Sequence, residues 1–484
     1  MNLANHHSES FEFDLVVIGS GPAGINAAVQ AAKLKKKVCI VEASPNKTGG
    51  AWIHWGTLPS KTLRETLETI HSIAHHAGQT WVDRILDDLH TEKLLERSRK
   101  VSQQHQKVVE GFLEKNKIPI IKGVGQIESN HQVRIHQVQG SEKILTTKYI
   151  LIATGSRPRR PSNIPFDGWR IVDGDEILTM KCFPRSMVIF GGGVIGCEYA
   201  CIFNSLGIDV TIIDQRSDIL RFFDREIVGE ISQSMEKRGI KFRLGFEVSQ
   251  LKVDGPQVRF HCGSDDMTTE CFFFCAGRTP TTAGLGLERL GIETSDYGHV
   301  KVNSDFQTSI SHIYAAGDVI GAPALAATSI AQGRHVAGHA FGASLGKFPE
   351  LFPYGVYTIP EMSMVGKTEQ DLQREGISYV IGRAHYREIA RGYIRGDSEG
   401  LIKILFDRKD QSLLGVHIAG ADACNLVHIG QALMLKKGRA QDLLDMVFNY
   451  PTLTEGYRIA AFNALNKIFT EGSIHEYDKL NDVA

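Results

Sequence analysis

Residues 13–24 read FDLVVIGSGPAG, an apolar run that stops at a glycine and is followed at once by the alanine-rich INAAVQAAKL. The order is strand, glycine turn and helix, with Gly19, Gly21 and Gly24 in G-x-G-x-x-G spacing. Glycine at these positions permits a tight turn and lets a pyrophosphate approach the backbone, where the amides at the helix N-terminus face it. The spacing alone is weak, because 48 of the 484 residues are glycine and chance matches are common. Context strengthens it. A second apolar run, VCIVE, ends at Glu42, 18 residues past Gly24, where an acid meets the ribose hydroxyls of a dinucleotide.

The same construction recurs further along. Residues 186–200, SMVIFGGGVIGCEYA, carry Gly191, Gly193 and Gly196 after an apolar run, and VTIID ends at Asp214, again 18 residues past the last glycine. Gly191 and Asp214 each lie 172 residues after their counterparts Gly19 and Glu42. Two modules in identical register imply two nucleotide sites in one chain; a tight turn that binds nothing explains one copy more readily than two. Asp214 favours a free ribose diol over a 2'-phosphate, and Arg216 and Arg221 are near enough in sequence to offset it.

Composition narrows the class. A chain of 484 residues has room for about three domains. With 42 % apolar and 23 % charged residues it reads as an ordinary soluble globular protein. A net charge of -1 exerts no pull toward nucleic acid or an anionic membrane, and neither partner is expected. The start, MNLANHHSESFEF, has no basic region followed by an apolar core, and no run of about 18 apolar residues occurs, so the expected location is the cytoplasm. The eight cysteines form no C-x-x-C and read as buried small apolar residues. Cys197 and Cys201, like Cys271 and Cys275, are four apart but lack further ligands at zinc-like spacing, so no metal site is expected.

Between the modules, residues 59–117 read as two long helices, the first with Pro59 in its opening turn and with His71, His75 and His76 facing solvent at its far end. The second, TEKLLERSRKVSQQHQKVVEGFLEKN, carries charge around most of its surface. Beta-like runs fill residues 118–138, and RPRRPSNIP, residues 157–165, reads as a linker into the second module. From about Phe348 the glycine signature is gone, and FPYGVYTIPEMSMVGKTEQDLQREG, LIKILFDRKDQSLLGVHIAG, HIGQALMLKKG and GYRIAAFNALNKIF suggest an α+β domain.

Residues 49–61, GGAWIHWGTLPSK, resemble the redox-disulfide segment GGxCxxxGCxPSK of the class I, FAD-dependent pyridine nucleotide-disulfide oxidoreductases, and the similarity runs from about Phe13 to Phe469. Where that pattern has its two cysteines, this chain has Trp52 and Thr57. Without the pair there is no dithiol to carry electrons, which excludes reduction of a disulfide substrate by that route. ILIATGSRP (residues 150–158) and IYAAGDV (residues 313–319) are similar to the family's two other FAD-associated segments. The resemblance therefore implies that the first module holds the ADP half of FAD, that Asp318 meets the ribityl and pyrophosphate region, and that the second module takes NAD(P). FFFCAGRTP, around Gly277, matches the segment that returns the chain to the flavin domain.

The implied fold class is α/β, with two Rossmann-like (three-layer ββα) dinucleotide-binding domains plus a C-terminal α+β dimerisation domain. The boundaries would be 1–156 and 277–347 for the two parts of the FAD-binding domain, 157–276 for the NAD(P)-binding domain and 348–484 for dimerisation. A homodimer or higher homo-oligomer is expected.

The resemblance also assigns residues. Lys61 and Glu198 match a lysine and a glutamate that pair beside the flavin N5; taken bare, they would be a solvent lysine and a first-turn glutamate. Gly50, Thr57, Thr154, Gly155 and Gly317 join the two glycine turns, Glu42, Asp214, Gly277, Asp318 and Lys61 as expected cofactor-binding residues. In place of the family's HPTxxE the chain has NYPTLTE, so Tyr450 replaces a histidine while Glu455 stays; Lys61, Glu198, Tyr450 and Glu455 form the expected catalytic set. A phenol titrating near pH ~10 is a poor proton manager at neutrality, and with no thiolate to serve it has no need to be one. Within the family, WGTLPSK, VIGCEYA, YTIPEMSMVGKTEQ and NYPTLTEGYRIAAFNAL are most similar to the soluble, Si-specific pyridine nucleotide transhydrogenases. That implies hydride transfer from NADPH through FAD to NAD+. Two other readings stay open: an NAD(P)H-dependent flavin reductase with a quinone-type acceptor, and a flavin- or nucleotide-binding protein whose chemistry lapsed with the cysteines.

Overall fold

The computed structural model describes residues 10–44, 46–87, 89, 91–137, 140–343 and 346–481, with backbone only for 75–77, 87 and 471–481. The chain divides into two compact units, one of Met1–Thr62, Leu95–Arg159 and Gly277–Pro349, the other of Leu63–Leu94, Arg160–Ala276 and Glu350–Ala484.

In the first unit, FDLVVI becomes the strand Phe13–Ile18, flanked in parallel by Val38–Glu42 and Glu142–Ile152. Ile120–Lys122 and Ile313–Ala315 extend the parallel sheet on either side. Such strands are covered on both faces, which is why their sequences are unbroken apolar runs rather than alternating ones. Val124–Ser129 and Gln132–His136 pair antiparallel beyond Glu142–Ile152; Val138, the expected end of these β-like runs, lies outside the described residues. On one face the helices Pro22–Lys33 and Ala326–Ala340 meet backbone to backbone, since a Cβ on Gly333 would overlap the Ala23 carbonyl.

The two helices expected over residues 59–117 are three: Thr57–Ala77, Gln79–Asp87 and Thr91–Lys115. Gly78, at φ +92, ends the first, a left-handed residue that glycine adopts without the Cβ penalty. His71 is half-buried and its Nε2 donates to the Ser205 carbonyl at 2.8 Å, so it is not the solvent-facing histidine expected. The side chains of His75 and His76 lie outside the described residues. The stretch expected as a linker begins as a strand, Ser156–Pro158, which pairs antiparallel with Arg278–Pro280. Cys182 is exposed, against the expectation that all eight cysteines are buried.

The second unit repeats the parallel pattern with Lys241–Leu244, Asp209–Asp214, Ser186–Phe190, Cys271–Phe274 and Ile171–Val172, in that order. An antiparallel meander of Val248–Asp254, Gln257–Cys262 and Asp265–Thr269 packs against it through Phe190, Phe260, Phe272 and Phe274. The same unit contains a five-stranded antiparallel sheet, ordered Tyr354–Val356, Met362–Gly366, Leu413–Gly420, Gly400–Asp407, Tyr379–His385, with the helices Ala423–Leu435 and Glu455–Asn481 packed on it. A buried ionic cluster ties the two sheets' elements together. Lys403 Nζ reaches Asp224 at 2.9 Å, Glu226 at 3.0 Å and Glu369 at 2.6 Å, and Arg383 holds Glu226 with Nε at 2.6 Å and Nη2 at 2.8 Å. Among the described residues no helix is long and apolar enough to cross a membrane.

Candidate functional site

The first glycine turn sits at the C-terminal end of Phe13–Ile18. Gly19 has φ +108, and a Cβ there or on Gly24 would overlap a backbone carbonyl oxygen, that of Ala153 or of Gly19 itself. Gly21 differs. The nearest atom to a Cβ at Gly21 is Ala153 O at 4.0 Å, so its glycine keeps space open in front of the Pro22–Lys33 helix; around Gly155 nothing lies within 4 Å. The loop carrying Gly50 lies over the turn: a Cβ on Gly50 would be 3.2 Å from Gly21 Cα, and the Gly49 amide donates to Ser20 Oγ at 3.1 Å.

The acids at this rim are oriented by neighbours. Glu42 Oε2 accepts from the Ser20 amide at 3.0 Å and from Ser20 Oγ at 2.5 Å, while Oε1 accepts from the Ser44 amide at 2.8 Å. Asp318 Oδ2 accepts from Ser156 Oγ at 2.8 Å, and Arg278 donates to that same hydroxyl at 2.8 Å and to the Ser156 carbonyl at 2.7 Å. Thr154 Oγ1 donates to the Thr281 carbonyl at 2.7 Å, and the Gly317 amide donates to Gln332 Oε1 at 2.7 Å. Gly277, at φ +104, accepts from the Arg159 amide at 3.2 Å. Thr57 opens the Thr57–Ala77 helix, and one turn on, Lys61 Nζ lies 3.5 Å from Ser60 Oγ.

Gly19, Gly21, Gly24, Glu42, Thr154, Gly155, Gly317 and Asp318 thus gather at the C-terminal ends of four parallel strands, with Gly50 on the loop over the first turn. Trp52, on the short helix Ala51–His54, has a buried indole N–H with no acceptor, and its ring meets the His105 ring edge-on at 5.3 Å. Open backbone at Gly21 and Gly155 fits an extended, acceptor-rich ligand such as a dinucleotide.

The second turn, in the second unit, has the same construction. Gly191 has φ +125, a Cβ on Gly196 would overlap the Gly191 carbonyl, and around Gly193 nothing lies within 4 Å. Asp214 behaves differently from Glu42. It is buried, Oδ2 accepts from the Gly192 amide at 2.7 Å, and Arg216 grips it with Nε at 2.8 Å, Nη2 at 2.6 Å and its amide at 2.9 Å. Burial pushes the carboxyl up, but the Arg216 bonds and the Gly192 amide outweigh it and hold Asp214 below the usual carboxylate range. Both oxygens expected to face a ribose diol are therefore engaged, and the group turned to solvent is the guanidinium, 49 % exposed. Arg221 forms no ion pair among the described residues.

Glu198 is buried on the Val194–Asn204 helix and its Oε1 accepts from the Tyr357 amide at 3.0 Å. Tyr450 is 75 % exposed, whereas Glu455 is buried at the start of the C-terminal helix with Arg458 at 3.8 Å. Sequence reasoning missed Ser20, Ser156 and Arg278, which orient the two acids of the first rim. Ser20, Ser156 and Arg278 all sit inside or beside segments quoted above, Arg278 within FFFCAGRTP, and were findable as polar residues there.

A family model described as pyridine nucleotide-disulphide oxidoreductase matches residues 13–333, and the dimerisation domain of the same description matches residues 352–461. A soluble pyridine nucleotide transhydrogenase of Mycobacterium tuberculosis is 43 % identical over 459 residues, covering 94 % of this chain and 98 % of the relative. The protein of the same name from Yersinia enterocolitica is 39 % identical over 468 residues, covering 95 % and 100 %. Among solved structures, the HOCl-induced flavoprotein disulfide reductase RclA from Escherichia coli superposes with a TM-score of 0.84 at 26 % identity, over 93 % of this chain and 99 % of that one.

Proposed function

The chain belongs to the pyridine nucleotide-disulphide oxidoreductase family, and from that premise we propose that it is a FAD-dependent transhydrogenase moving hydride between NADPH and NAD+ without a redox disulfide. One observation carries this reading: Trp52 and Thr57 occupy the two cysteine positions while both glycine turns keep open backbone for a nucleotide. The full-length relatives named soluble pyridine nucleotide transhydrogenase support it.

Bound FAD would supply the two-electron carrier between the nucleotides. The Gly19, Gly21 and Gly24 turn and the first amides of Pro22–Lys33 hold its diphosphate, Glu42 its adenosine ribose, and Asp318 with Thr154 and Gly155 its ribityl region. Gly50, Thr57, Gly277 and Gly317 shape the same site. Lys61 would hold a cation beside the bound flavin, where it would stabilise the negative charge of the reduced form. In the second unit, Gly191, Gly193 and Gly196 hold the nicotinamide nucleotide at the N-terminus of Val194–Asn204, with Asp214 and Arg216 at its adenosine end and Glu198 fixed by the Tyr357 amide.

Tyr450 and Glu455 carry no proton in this reaction, since no thiolate waits for one, and the phenol of Tyr450 is exposed. The protein works as a homodimer through the region matching the dimerisation domain. We assign the FAD-binding domain to 1–156 and 277–347, the NAD(P)-binding domain to 157–276 and dimerisation to 348–484, and place the reaction in the cytoplasm, in keeping with the relatives' description as soluble. The test is anaerobic mixing of the yellow protein with NADPH and an NAD+ analogue whose reduced form absorbs differently. Sustained reduction of the analogue is expected. A flavin that reduces and passes nothing on would move the acceptor to a quinone type, and one that stays oxidised would end the enzymatic reading.

A further inference from the structure

Residues 357–361, YTIPE, join the strands Tyr354–Val356 and Met362–Gly366 in the second unit. The link is tied to itself and to its surroundings. The Tyr357 amide donates to Glu198 Oε1 at 3.0 Å, Thr358 Oγ1 donates to the Pro360 carbonyl at 2.7 Å, and the Glu361 carbonyl accepts from the Gly420 amide at 2.8 Å. Glu361 Oε2 accepts from the Cys424 amide at 3.0 Å. A short link held this way moves as one piece, so whatever fixes it also fixes the Tyr357 amide.

Arg64, on the Thr57–Ala77 helix, grips the link at two points. Its Nε donates to the Thr358 carbonyl at 3.1 Å, and its Nη1 lies 3.1 Å from Glu361 Oε1 and 2.6 Å from Glu68, one turn on along the same helix. The guanidinium is 3 % exposed, Thr358 is fully buried, and the buried Nη2 has no acceptor among the described residues. An interior N–H left unanswered is costly, and a buried ion pair is often no more stable than apolar residues of the same volume. Net stability therefore does not account for Arg64. Its geometry does: the rigid fork meets a carbonyl and a carboxylate in directions fixed to one another, whereas the single ammonium of a lysine cannot stand at both the Nε and the Nη1 positions.

We propose that Arg64 is a positioning residue for hydride transfer at the second nucleotide site. By holding the Thr358 carbonyl and Glu361 it sets the Tyr357 amide, and that amide sets the carboxylate of Glu198 on the Val194–Asn204 helix. The proposal rests on the reading of Glu198 given under the proposed function.

The experiment compares Arg64→Lys with the parent as FAD-loaded proteins. Amide hydrogen exchange at single-residue resolution, without nucleotide, should show the Tyr357 amide exchanging about tenfold faster, while the amides pairing Tyr379–His385 with Gly400–Asp407 keep their rates and show that the variant is folded. Anaerobic stopped-flow should show flavin reduction at saturating NADPH slowed about tenfold, the worth of one hydrogen bond to a charged group, with the half-saturating NADPH concentration within about twofold of the parent. In a Glu198→Ala background Arg64→Lys should slow reduction no further, because the group it places is gone; a purely structural role would slow both backgrounds by the same factor. Unchanged exchange at Tyr357, a raised half-saturating concentration with no fall in rate, or equal slowing with and without Glu198 would each overturn the proposal. Faster exchange at Tyr357 with an unchanged reduction rate would overturn it by another route, removing Glu198 from the chemistry. Neither measurement involves the hydride acceptor, so a failure of transhydrogenation is read separately.

Discussion

Arg216→Leu separates two ways of choosing a nicotinamide nucleotide. With the guanidinium in place, two hydrogen bonds of 2.8 and 2.6 Å occupy the Asp214 carboxylate, and in the proposed site a 2'-phosphate would meet the exposed face of the guanidinium. Leucine removes that cation and leaves Asp214 ionised, still held by the Gly192 amide and by the backbone amide at position 216, facing the phosphate. A charge-assisted contact is worth about 1.5–3 kcal/mol, and the half exposure of the guanidinium places it toward the lower half of that range. Adding the new like-charge contact brings the loss for NADPH to about 2–3 kcal/mol. At about 1.4 kcal/mol per decade this is roughly 30- to 150-fold in kcat/KM. NADH, whose ribose diol can use the freed carboxylate, should hold its value or improve. Stopped-flow flavin reduction against NADPH and NADH concentration, at equal FAD content, reads the ratio directly. A NADPH/NADH preference within about threefold of the parent would refute the assignment of Arg216.

Other perturbations test the rest of the arrangement. Gly196→Ala puts a methyl on the Gly191 carbonyl, so the second turn must open; the protein should stay yellow while nicotinamide nucleotide affinity falls at least about tenfold, and a normal KM would count against that turn. Lys61→Ala should slow flavin reduction far more than it weakens NADH binding, and equal effects would remove Lys61 from the chemistry. Lys403→Met strands Asp224 and two further acids without their buried partner and should cost about 3–5 kcal/mol in denaturant melts, largely regained by adding Asp224→Asn. A loss below about 1 kcal/mol would mean that water reaches the cluster. Burial holds the His417 imidazole below its ordinary 6.5, although Asp224 and the bond to the Lys367 carbonyl push it up. The unfolded chain takes up that proton and the folded chain refuses it, so His417's contribution is full above pH 6.5 and shrinks as the pH falls below it. His417→Phe should flatten the fall of the melting midpoint between about pH 7 and 5; the same slope in both proteins would exonerate the histidine.

Both parallel sheets were legible because strands buried on two faces print as unbroken apolar runs, and because FDLVVI, VCIVE, SMVIF and VTIID each end where a glycine or an acid must stand. The helix missed was Gln79–Asp87, because QTWVDRILD is a short stretch between Gly78 and the second expected helix. His71 shows the limit of periodicity: its position on the helix suggested solvent, but its partner is a carbonyl 134 residues away. Asp214 shows a subtler one. Its arginine is only two residues on, yet sequence gives no sign whether that side chain folds back onto the acid or turns outward, and this orientation decides which charge a nucleotide meets.

Lys403 lay beyond any reading of pattern. In LIKILFD a lysine among apolar neighbours reads as the outward residue of an alternating strand, but this strand is covered on both faces, so the ammonium is fully buried. Burying it alone would be prohibitive. The acids that make it tolerable come from elsewhere in the chain: Asp224 and Glu226 precede the strand by more than a hundred residues, and Glu369 stands on a separate helix. Each of these acids taken singly is a first-turn or N-cap residue of an amphipathic helix, adequately explained by its own helix. Only their convergence on one ammonium shows that the same side chains which start two helices also fix the Arg225–Lys237 helix to the antiparallel sheet. It follows that substitutions at Lys403 should loosen the hold of the Arg225–Lys237 helix on the antiparallel sheet as well as cost stability.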